Sequence, residues 1–167
     1  MNFKEYTVLA KRTITYDSDE KLLFCSMAGL LGEYGEWLEH MENASNKSLI
    51  IKECGDICWY LAILVDYLKL DLNVTAVSPY FSLEHNGFQT ISLIQEVMKK
   101  MVRDNPTWYP DEIQKGKLEL LFSSLLAGVQ NVCLIEQVNF SDVLHQNIEK
   151  LADRAKRGVL KGSGDLR

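Results

Sequence analysis

Four acidic side chains at helical spacing hold most of the chemical content of this 167-residue chain. Glu33 and Glu36 stand three apart in the run Gly29-Leu-Leu-Gly-Glu33-Tyr-Gly-Glu36-Trp-Leu-Glu39-His40, and Glu39 and Glu42 continue the spacing. Three residues turn an α-helix by about 300°, so neighbours in such a series lie about 60° apart and about 4.5 Å along the axis. Glu33 and Glu36 therefore converge, while Glu42 has rotated half a turn away from Glu33. No Lys or Arg falls between Lys21 and Lys47 to relieve these like charges, which oppose one another at this separation. A second pair, Glu53 and Asp56, repeats the spacing in Lys52-Glu53-Cys54-Gly55-Asp56-Ile57-Cys58-Trp59, on a stretch otherwise suited to burial. A buried carboxylate costs several kcal/mol unless paired or bound to metal, and the nearby cation, Lys52, is placed to meet Asp56 at i,i+4. Two helices packed about 8–10 Å apart would let the facing pairs enclose a hard cation. An all-oxygen donor set without His or Cys selects Mg²⁺, with Mn²⁺ as a substitute, over zinc. Gly32, Gly35 and Gly55 flank the acids; each costs about 1 kcal/mol against Ala inside a helix, and their repetition predicts close approach of backbone or ligand.

Other metal chemistries find no residues. Cys25, Cys54, Cys58 and Cys133 lie in apolar stretches without a CxxC spacing, and His40, His85 and His145 are scattered. The cysteines read as small buried hydrophobes of a reducing compartment. With 47% hydrophobic and 25% charged residues, the chain has the makings of a core and is neither disordered nor low-complexity. A net charge of −5 is the wrong sign for a general nucleic-acid binder. The longest apolar run, Ile57 to Val65, is too short to span a membrane, and MNFKEYTVLAKR has no signal-peptide core. The expectation is a cytoplasmic protein with no nucleic-acid or membrane partner.

The elements that position the acids read almost entirely as helix, which predicts an all-α helical bundle. Phe3, Tyr6, Leu9 and Ala10 give a short amphipathic helix. Asp17-Ser18-Asp19 offers an N-cap for a long helix from about Glu20 to Glu42, and Asn43 to Asn46 is a polar break. Lys47 to Leu70 is apolar around nearly its whole circumference, so it should run through the centre. A connector over 71–88 contains Pro79 and Asn86-Gly87. Helices from Gln89 to about Asp104, from about Asp111 to Glu136, and from a Ser141 cap to about Lys156 complete a single domain over 1–157. The tail 158–167 has three glycines and reads as irregular. Tyr67-Leu-Lys-Leu-Asp-Leu-Asn73 resembles Cys133-Leu-Ile-Glu-Gln-Val-Asn139; a degenerate internal duplication into two similar helical halves and chance likeness between amphipathic helices both account for it.

Glu33-Tyr-Gly-Glu36 followed after a gap by Glu53-Cys-Gly-Asp56 resembles the E-x-x-E…E-x-x-D signature of the MazG-like all-α nucleoside triphosphate pyrophosphohydrolases. The flanking GLLGEYGEWLE and KECGDICWYLA are close to that family's wording. The likeness extends upstream through Tyr6 to Leu23 and resumes at Asn147-Ile-Glu-Lys150-Leu-Ala-Asp-Arg154, similar to an N-x-x-K-x-x-x-R run, and at RGVLKGSGDLR, similar to a Gly-rich basic ending. The departure is a helical pair inserted before the N-x-x-K-x-x-x-R run. In that pair Glu96 and Glu119 remain, but Lys99 and Phe122 stand three residues on, so a second copy of the site would lack its ligands and the usual homo-oligomer geometry is open; a dimer remains the expectation.

The resemblance implies Mg²⁺-dependent hydrolysis of a nucleoside or deoxynucleoside triphosphate to the monophosphate and pyrophosphate. Glu33, Glu36, Glu53 and Asp56 would hold the metal, and Glu36 would accept the proton of the attacking water. Asn147, Lys150 and Arg154 would bind phosphates, with Lys161 and Arg167 of the tail folding over the bound polyanion. Trp37 and Trp59, beside the acids, are candidates to stack on the base. A non-catalytic nucleotide-binding regulator on the same fold is the alternative.

Overall fold

Residues 1–43, 46–76 and 81–159 are described by a computed structural model. They form six α-helices: α1 (Phe3–Ala10), α2 (Asp19–Glu42), α3 (Lys47–Tyr67), α4 (Leu83–Asp104), α5 (Glu112–Ile135) and α6 (Phe140–Lys156), with short 3₁₀ turns at Lys11–Thr13 and Val74–Ala76. Among the described residues there is no strand. The architecture is an all-α helical bundle. Helices α2 and α3 pack as one hairpin, α4 and α5 as a second, and the two hairpins meet through α2 with α4 and α3 with α5. Helix α3 touches α1, α2, α5 and α6, and residues from every face of it, including Ile50, Ile51, Glu53, Ile63 and Val65, are buried. Its apolar circumference thus reflects its place as the central helix.

Local sequence signals set most of the boundaries. Ser18 caps α2 by accepting from the Lys21 N–H, and Asp111 caps α5 in a reciprocal pair with Gln114; such caps satisfy amides that the first turn leaves without partners. Helix α3 stops at Tyr67, short of the expected Leu70. Lys69 adopts a left-handed conformation (φ 54°), and the Leu70 N–H turns back to the Val65 carbonyl. Helix α5 ends the same way at Gln137 (φ 55°), with Val138 bonded to Cys133. This is a Schellman stop on residues other than glycine, which is why the sequence hides it. The two stops align Lys69 with Gln137, out of register with the sequence echo, which pairs Tyr67 with Cys133.

Two further boundaries differ from expectation. Asn139, not Ser141, caps α6, its side chain accepting from the Ser141 N–H, while the Ser141 hydroxyl receives the Met1 ammonium at 2.6 Å. The connector ends at Ser82, the N-cap of α4, so Asn86-Gly87 is helical and not a turn. Its glycine is there for packing: a Cβ at Gly87 would lie 2.4 Å from the ring of Tyr34. That ring is buried, and its hydroxyl donates to the Leu83 carbonyl at 3.2 Å. Gly29 has the same relation to Tyr60, at 2.2 Å. Gly32 and Gly35, by contrast, meet nothing within 4 Å among the described residues, so no packed neighbour there requires a glycine.

One described helix, α5, is long and apolar enough by composition to cross a membrane. Here it packs against α3, α4 and α6. All four cysteines are free thiols, and Cys54, Cys58 and Cys133 are buried.

Helix propensity favours alanine over glycine by about 1 kcal/mol, yet Gly87→Ala is expected to lose stability by about 1–3 kcal/mol through overpacking against Tyr34. A lower urea midpoint with unchanged m-value would show it; a higher midpoint would refute the contact.

Candidate metal centre

Along the α2–α3 hairpin, Glu33 and Asp56 each lie about ten residues from the connecting break, about 15 Å at the rise of an α-helix, so antiparallel packing brings them level. Glu53 sits one turn nearer the break, on the face of α3 that meets α2. One carboxylate oxygen from each of Glu33, Glu53 and Asp56 falls within 4.8 Å of the others. These are three of the four acids expected to share a cation. Glu36, the fourth, is exposed on the next turn of α2 and lies outside this group. It acts on the site by charge, as one of the groups that raise the Glu33 pKa.

The three acids sit in different surroundings. Glu53 is fully buried. Its Oε1 accepts from Lys52 Nζ at 2.8 Å and lies 3.8 Å from His40 Nε2, while Oε2 has no hydrogen-bond partner. Lys52 thus serves Glu53, its immediate neighbour, and not Asp56 as the i,i+4 spacing suggested. Asp56 is held from α6: Lys150 Nζ reaches both its oxygens, at 2.7 Å for Oδ2, and Asn147 Nδ2 donates to Oδ1 at 2.8 Å. Asn147 in turn accepts from the Tyr6 hydroxyl at 2.8 Å. Both ends of this buried amide are therefore hydrogen-bonded, and Asn147 orients Asp56. Gly55 makes room for this, since a Cβ there would lie 3.1 Å from Asn147 Nδ2.

Among the described residues no cation pairs with Glu33. Burial first, then the charge of Asp56, a hydrogen bond with Glu53 and the charges of Glu53 and Glu36 push its pKa from the ordinary 4.5 to about 8. At neutral pH Glu33 therefore favours its protonated form. A proton bound where three carboxylates converge, together with an orphaned oxygen on a fully buried one, is the signature of a place that a hard cation fits. Three oxygen donors with no nitrogen or sulfur suit Mg²⁺ or Mn²⁺.

The other expected site residues are dispersed. Trp37 is 1% exposed and stacks on Tyr34 at 5.8 Å, so it belongs to the core and presents no face to a base. Trp59 is half-buried; its Nε1 donates to Thr13 Oγ1 at 2.8 Å, and Tyr60 meets it edge-on at 4.8 Å. Arg154 is buried one turn beyond Lys150. Lys161 and Arg167 lie outside the described residues. In the second hairpin Glu96 pairs with Lys99 and Lys100, Phe122 is in the core, and Glu119 accepts from the Asp71 N–H at 2.9 Å, so these side chains serve structure. Tyr6 and His40 were not among the expected residues. Tyr6 had one signal, its place on the buried stripe of α1. His40 had only its position one turn after Glu36.

No protein-family model, curated protein or solved structure matches the chain.

A carboxyl whose pKa is raised on folding stabilises the folded state below its ordinary pKa, and that contribution is lost as pH rises through the folded value. The metal-free protein should therefore lose stability between about pH 5 and about pH 8, by at most about 1.4 kcal/mol per pH unit from this group. Urea midpoints across this range should fall in the wild type and fall less in Glu33→Gln. Equal slopes in the two proteins would remove Glu33 from the account.

Proposed function

We propose that this chain is a MazG-like nucleotide pyrophosphohydrolase that holds Mg²⁺ on Glu33, Glu53 and Asp56 and cleaves a nucleoside or deoxynucleoside triphosphate to the monophosphate and pyrophosphate. The observation behind the reading is the convergence of three carboxylates around Glu53, fully buried with one oxygen unpartnered. No arrangement of that kind is stable without a proton or a cation to supply the missing charge. The sequence resemblance supplies the reaction; the side chains present are suited to its steps.

A divalent cation bound there would neutralise the triphosphate and lower the pKa of a water it holds. Glu36, exposed beside the triad and not converging with it, keeps both oxygens available to accept the proton of the attacking water. The water oxygen forms the new bond to phosphorus, the anhydride bond breaks, and pyrophosphate leaves with the bonding pair. Lys150, tied to Asp56 in the metal-free protein, is placed to turn to a phosphate as the cation takes over that carboxylate. Tyr6 and Asn147 keep Asp56 in one orientation, a positioning role typical of residues behind metal ligands. Trp59, the tryptophan with an exposed edge, is the remaining aromatic candidate against a base.

Glu53→Gln or Asp56→Asn should abolish pyrophosphate release from a panel of NTPs and dNTPs with Mg²⁺, while circular dichroism stays helical. Removing one of the crowded charges should also raise slightly the melting temperature of the metal-free protein. Full activity in either variant at ordinary Mg²⁺ sinks the assignment. Nucleotide binding without release in the wild type would make the chain a regulator on this fold.

A further inference from the structure

Helices α2 and α4 meet tightly where Gly87 admits the ring of Tyr34. Toward the start of α2 they leave a groove of about 700 Å³ between them, walled by Leu23, Met27 and Leu31 from α2 and by Met98 and Val102 from α4. Moving back along α2 from Tyr34 moves forward along α4, so the walls are antiparallel and Glu20 lies level with the Lys99–Arg103 turn. The α2 wall, from Glu20 to Leu31, is about 16 Å long at the rise of an α-helix. Trp108 also lines the groove. Its backbone is left-handed (φ 57°), which is unusual for a bulky residue, and its neighbours hold it there. The Trp108 N–H donates to the Asn105 carbonyl at 3.0 Å, and Tyr109 stacks on Tyr67 of α3 at 5.5 Å. Leu23 and Met98 are buried, but Phe24 on the α2 lip is 76% exposed and Val102 on the α4 lip is 37% exposed. The charged lining residues divide by helix, Glu20 on α2 and Lys99 and Arg103 on α4.

We propose that this groove is the face through which two copies of the chain associate, about a two-fold axis running along it. Such an axis sets α2 of each copy over α4 of the other, antiparallel and at the same level. A face can dock on itself only where each feature meets its complement at the symmetry-related position. Here Phe24, a projecting ring beside a hole, falls over the Met98–Val102 stretch of the second copy. Glu20 falls over Lys99 and Arg103 of the second copy, and both contacts recur across the axis. In the single chain these cations lean on carboxylates of their own helix, Lys99 on Glu96 and Arg103 on Asp104 through Nε and Nη2. Exposed pairs of this kind are weak, and a guanidinium has donors beyond the two so used. Twelve residues line the groove, about half the number on each side of a standard interface, so the association is reversible and micromolar. The inference goes beyond the metal-centre reading and does not rest on it. To the expectation of a dimer it adds the face, the symmetry and the charges that set the register.

Sedimentation velocity of the full chain from about 1 to about 300 μM tests this. The wild type should pass from monomer to dimer across the range. Phe24→Asp, a change at an exposed position, should weaken association at least about tenfold. Glu20→Arg and Arg103→Glu should each weaken it about threefold or more. The double variant, with the two charges exchanged, should associate more tightly than either single one. Circular dichroism should be the same in all of them. A wild type that stays monomeric at the highest concentration overturns the proposal, and uptake of an anilinonaphthalene sulfonate by that monomer would give the groove to a small amphiphile instead. A dimer that Phe24→Asp leaves intact places the interface elsewhere and also overturns it. Two weakened single variants with no recovery in the double variant overturn the two-fold pairing. The measurement reads mass alone, so a protein that dimerises in this way yet hydrolyses nothing keeps this inference and loses the enzymatic one.

Discussion

Everything at the site follows from one buried negative charge. Glu53 lies on the central helix with no exposed surface, in a place where an isolated carboxylate would cost several kcal/mol. The fold answers this charge only in part. Lys52 meets one of its oxygens and His40 stands near the same one, while the other oxygen receives no donor. Glu33 then takes up a proton that an ordinary glutamate would have lost. The site is thus a compromise among three carboxylates, two lysines and a proton, and a divalent cation bound there would satisfy the carboxylates together.

The bundle is arranged around that compromise. Helix α3 must be central for Glu53 to be buried, and a central helix needs neighbours on all sides. Helix α2 brings Glu33. Helix α6 brings Lys150 and Asn147, and α1 brings Tyr6 to hold Asn147 in turn. The second hairpin, α4 and α5, contributes no ligand; it covers the faces of α2 and α3 turned away from the acids. In this division of labour two of the six helices are chemically silent but necessary, because without their apolar cover α3 would be a surface helix and its acids ordinary.

What the sequence made legible was the part governed by local spacing. The helical character, the cap at Ser18 and the pairing of Glu33 with Glu53 and Asp56 all follow from periodicities of three and four residues. The parts that needed tertiary information were hidden. The i,i+4 rule gave Lys52 to Asp56, but Lys150 from a distant helix takes Asp56, and Lys52 turns to the residue beside it. Glu36 shares the spacing of Glu33 but is one step further round α2 and leaves the interface. Asn147, a phosphate ligand by the resemblance, is buried between Tyr6 and Asp56, contacts that helical spacing does not reveal. Asn86-Gly87 resembled a turn because glycine breaks helices on average, whereas here the missing Cβ admits the ring of Tyr34.

The hydrogen bond from Tyr6 to Asn147 joins the first helix to the last, and the Met1 ammonium on Ser141 joins the same two elements a second time. Contacts of such sequence separation pay the largest loop-closure entropy and form late. During synthesis, the hairpin holding Glu33, Glu53 and Asp56 leaves the ribosome well before α6 exists. For that interval the acids have neither Lys150 nor an ordered Asp56 beside them. A polypeptide released early, or one still being extended, would display the acids without the partners that orient Asp56. Completion of the centre therefore waits on α6, more than eighty residues after the second acid of α3.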